Sequence, residues 1–140
     1  MKNTFCTALG IVGGAIASLL GGWNEALAAL MICMAIDYAT GLMVAGLFHK
    51  SPKSPGGGLE SMAGWKGLAR KCVTLLMVVM AHEMDVLLGI CYIRDAVVIG
   101  FCANEVISII ENAGLMGLPI PEVLRGAIDQ LKRKGGSDHD

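Results

Sequence analysis

Ionisable side chains stand where apolar ones are expected. Asp37 and Tyr38 lie midway along one apolar run, His82, Glu83 and Asp85 midway along another, and Asn104, Glu105, Ser108, Glu111 and Asn112 are spread through a third. Groups of this kind can bind a metal, relay protons, pair inside a protein or line a water-filled passage. A metalloprotease-type zinc site is excluded. His82-Glu83 would need a second histidine four residues after the first, and that position is Val86. Cys6, Cys33, Cys72, Cys91 and Cys102 sit in or beside apolar runs with no CxxC pair and no zinc spacing, so they read as small apolar side chains. No glycine-rich phosphate loop follows a strand, and no Ser-His-Asp or Cys-His arrangement stands out. The chain is therefore expected not to be an enzyme and to hold no metal or cofactor.

Spacing sharpens the third run. At about 100° per residue, Asn104, Glu105, Ser108, Glu111 and Asn112 fall within one arc about 120° wide, with Val106, Ile107, Ile109 and Ile110 outside it. Such a stripe suits the wall of a water-filled hole or a helix lying on a membrane surface. His82 and Asp85 share a face, with Gly89 one turn further on, while Glu83 points elsewhere. A charge at mid-bilayer costs on the order of 2.5–3.5 kcal/mol even on the lenient insertion scale, so these groups must pair, stay protonated or line water. Pore lining or assembly is the leading expectation for Asp37, Tyr38, His82, Glu83, Asp85, Asn104, Glu105, Ser108, Glu111 and Asn112. Static pairing within the chain and proton transport stay open beside it. Gly10, Gly14, Ser18 and Gly22 recur at steps of four and would let helix backbones approach closely in lipid.

The elements that must position these residues read as membrane helices. Of the 140 residues, 54% are apolar without counting 19 glycines, and 16% are charged; a soluble domain has more charge, roughly 25%. The expected fold is all-α: an integral membrane bundle of four transmembrane helices, at about 5–23, 26–48, 73–93 and 96–116, with three spans as the alternative. A loop rich in Ser, Pro, Gly and Lys covers 49–72, and residues 119–140 read as a C-terminal amphipathic helix and tail beyond the 1–118 membrane domain. Lys2, then Lys50, Lys53, Lys66, Arg70 and Lys71, then Arg125, Lys132, Arg133 and Lys134 place both termini and the long loop in the cytoplasm by the positive-inside rule. That assignment needs an even number of spans. Ala15-Ile16-Ala17 before Ser18 also resembles a signal-peptidase site, but only Lys2 precedes the run, so an uncleaved helix is expected. The basic cluster at 132–134 reads as an anchor for anionic headgroups rather than a nucleic-acid site.

Several blocks stand out: Gly22-Trp23 with Leu27, Asp37-Tyr38-Ala39-Thr40-Gly41, and Gly64 and Gly67 leading to Arg70-Lys71. Asp85 follows within Met84 to Gly89, and then come Asn104 through Gly114, Gly117 through Pro121, and Leu124. Together these blocks resemble the toxin-secretion/phage-lysis holin family, and the last of them, long and idiosyncratic, carry most of the likeness. Lys50 to Gly58 departs from it as an insertion. The resemblance implies a phage- or prophage-encoded protein of the bacterial cytoplasmic membrane that forms homo-oligomers and opens lesions. An endolysin, with no direct contact expected, then reaches the wall and the host cell lyses; some relatives export toxins instead. The alternatives are a small channel or transporter subunit of fixed stoichiometry and a non-conducting scaffold.

Overall fold

The computed structural model describes residues 1–136, and these form five α-helices with no strand among the described residues. They are α1 Lys2–Leu19, α2 Glu25–Gly46, α3 Ser61–Leu88, α4 Ile93–Leu115 and α5 Glu122–Gly136. The tail at 137–140 and the side chains of Lys132 and Lys134 lie outside the described residues.

The helix ends follow from local chemistry. The Asn24 side chain accepts a hydrogen bond from the Leu27 amide at 2.9 Å and so caps α2. Gly89 stops α3 in the left-handed conformation, φ 66°, which lets the Ile90 amide reach back to the Asp85 carbonyl at 3.0 Å. The Asp85 carboxylate then starts α4 from a distance, accepting from the Ile93 and Arg94 amides, each at 2.9 Å. The connection from α3 to α4 is short because its two ends share this one acid.

α4 is the centre of the bundle and packs along α2 and against α3, while α2 and α3 touch each other sparsely. α2 and α4 run the same way, since Ala26 lies beside Cys102 and Asp37 beside Asn112; α3 runs the other way. Each helix turns a seam inward at alternating steps of three and four: Leu27, Leu30, Met34, Asp37, Gly41 and Val44 on α2; Lys71, Thr74, Val78, Ala81 and Asp85 on α3; Arg94, Val98, Phe101, Glu105, Ser108 and Asn112 on α4. That is the step of helices wound nearly parallel, with knobs set into holes. The middle of the seam is apolar, with Leu27, Leu30, Met34, Val78 and Val98 buried against one another. Polar groups sit above and below it.

α1 stands apart. None of its residues is buried, and a side chain added at Gly10 or Gly14 would meet open space.

The helices differ in extent from the expected spans. α3 begins at Ser61, so residues 61–72, assigned to a loop for their polarity, are helical. They are held there because the Tyr38 ring packs against Gly64 and Gly67. The true loop runs from residue 47 to 60. Within it the Ser51 amide bonds to the Gly57 carbonyl at 3.0 Å and the Ser54 hydroxyl to the Gly58 carbonyl at 2.6 Å. Arg94 and Asp95, left between the expected spans 73–93 and 96–116, form the first turn of α4. Among the described residues α2 alone is long and apolar enough to cross a membrane by length and composition.

Candidate functional site

Two polar clusters occupy the seam. The first joins three helices. The Lys71 ammonium donates to Asp37 Oδ2 at 2.8 Å and to Glu105 Oε2 at 2.6 Å, with the three side chains between 9% and 12% exposed. The Asn112 amide donates to Asp37 Oδ1 at 3.3 Å and to the Thr40 hydroxyl at 3.0 Å. Thr40 in turn donates to the Asp37 carbonyl at 3.0 Å. Two carboxylates and one ammonium leave this layer with a formal charge of −1. Every buried side-chain N or O in the described residues has a hydrogen-bond partner, as a buried ionic layer requires.

A cavity of about 550 Å³ opens beside this layer, where α2 and α3 touch only sparsely. Leu42, Leu59 and Val73 give it apolar walls, Asp37, Lys71 and Glu105 its charged floor, and Lys53 reaches in from the loop.

The second cluster is at the opposite end of the seam. The Arg94 guanidinium donates to the Leu20 carbonyl at 2.6 Å and the Gly22 carbonyl at 2.7 Å, and to Asp95 at 3.2 Å. These bonds hold the turn after α1. Gly21, at φ 86°, makes the approach possible: a Cβ there would fall 2.6 Å from His82 Nδ1 and 2.8 Å from Arg94 Nε.

The expected site residues are therefore divided. Asp37, Glu105 and Asn112 come together around Lys71, and Tyr38, Asn104 and Ser108 line the adjoining cavity. Asp85 and half-buried His82 belong to the Arg94 end. Glu83 and Glu111 lie on exposed surface. Gly10, Gly14 and Ser18 project from the unpacked α1, and Gly22 contributes its carbonyl to Arg94. The stripe on α4 is thus split lengthwise, with its Glu105–Asn112 edge turned into the chain's own seam. Lys71, Arg94 and Thr40 were not singled out from sequence. Lys71 reads as a topological charge, although it continues the three-four step of Thr74, Val78, Ala81 and Asp85.

The model of the bacteriophage holin family matches residues 14–133. The chain belongs to this family. Among its relatives, an uncharacterised protein of Listeria monocytogenes is 39% identical over 134 residues, which is 94% of this chain and 90% of that one. An uncharacterised protein of Halalkalibacterium halodurans is 39% identical, covering 87% of this chain and 89% of its own. A protein of Bacillus phage phi105 named as a probable holin is 29% identical, covering 79% of this chain and 74% of its own. No solved structure matches. The family match spans both seam clusters, so the charged layer and the Arg94 turn lie within the holin part of the chain. Membership supports a phage holin role at a membrane, and holins of this kind are not typified by catalysis.

Proposed function

We propose that this holin crosses the bacterial cytoplasmic membrane four times through α1 to α4, with both termini and the 47–60 loop in the cytoplasm. It self-assembles there and opens lesions through which an endolysin reaches the cell wall; export of a toxin by the same lesion is the variant use. The observation that carries this reading is where the charges of α3 and α4 lie. Lys71, Asp85, Arg94 and Glu105, which make those helices look too polar to span, are turned onto the seam and partnered. The outward surface keeps Ile32, Ile36, Leu76, Met80, Leu87, Ile99 and Val106 for lipid. The exposed acids Glu83 and Glu111 lie within about 8 Å of helix ends, by a rise of about 1.5 Å per residue, near enough to meet headgroups. α3 is about 42 Å long at 28 residues, so its first turns extend past a hydrocarbon layer of roughly 30 Å on the basic side.

Assembly supplies the lesion. Seam groups that are paired within one copy have the polarity to face water once copies associate and helices separate: Asp37, Lys71, Thr74, Glu105, Ser108 and Asn112. The test is induced expression in a bacterium with and without a coexpressed endolysin. Abrupt growth arrest, with lysis only when the endolysin is present, is expected. Passage of small ions while the endolysin stays trapped would instead identify a fixed channel. An intact membrane potential throughout would leave a non-conducting scaffold.

A further inference from the structure

The closed seam has one weakly held side. α2 and α4 pack along each other, and the C-terminal half of α3 is tied to α4 through Asp85. The N-terminal half of α3, residues 61–74, is fastened to its neighbours through side chains alone among the described hydrogen bonds. It faces α2 across the cavity and presents Gly64 and Gly67 to the Tyr38 ring. The Thr74 hydroxyl is spent on the Arg70 carbonyl of its own helix. The ionic grip of this half on α2 and α4 is the Lys71 ammonium, at 2.8 Å and 2.6 Å.

We propose that this half of α3 is exchanged between copies, so that Lys71 of one holin enters the Asp37–Glu105 socket of a second copy of the same chain. The inference deepens the self-assembly reading above, on which it rests, by naming the contact. Once the half-helix leaves, an ammonium and two carboxylates lose their partners in a medium where unpaired charge is costly. A group of matched charge and geometry is then available in another opened copy. Exchange of an identical element restores the lost contacts without inventing new ones, which makes it a low-cost route to association. The loop from residue 47 to 60 gives the freedom needed, with an extended reach of about 45 Å, while Asp85 and the short turn at residues 89–92 hold the C-terminal end of the continuous helix α3, so that the helix swings about that end and its N-terminal half moves furthest. Because the partner is another copy, opening depends steeply on density in the membrane.

Two arms test this. In the first, isotopically light and heavy holin are reconstituted together in vesicles of bacterial phospholipid at rising protein density. They are then treated with a hydrophobic carbodiimide, which condenses a lysine and a carboxylate in contact into an amide. Linked peptides joining Lys71 to Asp37 or Glu105 are expected to be of one isotope at low density. Mixed-isotope links should approach the random-mixing proportion at the density where trapped dye escapes. Dye escape with links still of one isotope overturns the exchange and leaves the lesion-forming reading standing. In the second arm, Lys71→Glu and the pair Asp37→Asn with Glu105→Lys are each expected to lose timed lysis alone. Together in one cell they should regain it, because each socket then finds its opposite charge on the other copy. Lysis by all three substitutions in one chain, without rescue by coexpression, shows that the pairing stays within a copy and overturns the proposal. Absence of lysis by the unaltered protein with an endolysin removes the lesion-forming reading itself, and the exchange with it.

Discussion

At one end of the seam a buried cation binds backbone; at the other a buried cation binds side chains. Arg94 donates to the Leu20 and Gly22 carbonyls, and Asp85 accepts from the first amides of α4, so this end is fastened to atoms that cannot rotate away. Lys71 holds two carboxylates on two different helices, beside a cavity, at the end of a flexible stem. The planar guanidinium fixes a turn, whereas the ammonium bridges an interface that is otherwise loose. The same residue classes thus anchor a turn through backbone atoms at one end and join three helices through side chains alone at the other.

The sharpest way to break that comparison is to remove each cation. Arg94→Leu forfeits two hydrogen bonds from a charged donor at about 1.5–3 kcal/mol each, on the order of 3–6 kcal/mol together. Denaturation by SDS in mixed micelles should show this as the largest loss, and little protein should accumulate in membranes. Lys71→Met leaves two carboxylates buried without their cation, a loss of about 3–5 kcal/mol in the same titration; the protein should still insert, but with no ammonium to offer another copy it should lose timed lysis. Replacing the whole layer by Asp37→Leu, Lys71→Met and Glu105→Leu should have the opposite sign in stability, because apolar residues in place of a complete buried ionic group are neutral or stabilising by about 1–4 kcal/mol. Timed lysis should be lost here too. If the triple change kept stability and timed lysis together, the charged layer would not be the contact that governs opening. Asn112→Ala is smaller: it strips Asp37 and Thr40 of a donor, about 1–3 kcal/mol, measurable in the same SDS titration as a modest drop.

Much of this was legible in the sequence, and the remainder has a physical reason. The all-helical fold and the need for Asp37, Asp85 and Glu105 to find partners or water followed from apolar runs and the cost of charge in lipid. The partners did not. A lysine at the edge of an apolar run reports topology equally well whether it faces water or a neighbouring acid, so Lys71 reads as a loop charge. Polarity also set the start of α3 too late. The residues from Ser61 to Lys71 gain their helical place from contact with Tyr38 and from the ion pairs, and neither is visible in hydropathy. The α4 stripe was found as a stripe, but periodicity gives a face and not what the face meets. Glu105 and Asn112 meet Lys71 and Asp37, Asn104 lines the open cavity beside them, and Glu111 lies on exposed surface.

The least disruptive change probes the helix that takes no part in the seam. At Gly14 a new side chain enters open space, so Gly14→Leu should alter the unfolding of a single copy by no more than about 0.5 kcal/mol, as for surface positions generally. If α1 serves to bring copies together through Gly10, Gly14 and Ser18, the same change should shorten the chemical cross-linking ladder in membranes, because a leucine holds helix backbones apart where glycine lets them touch. A fold untouched and a ladder lost would divide the molecule cleanly, with α1 gathering copies and the Lys71 layer opening them. A ladder left intact would take assembly away from α1 and assign it to the seam, where the loose half of α3 already faces a socket that fits its own kind.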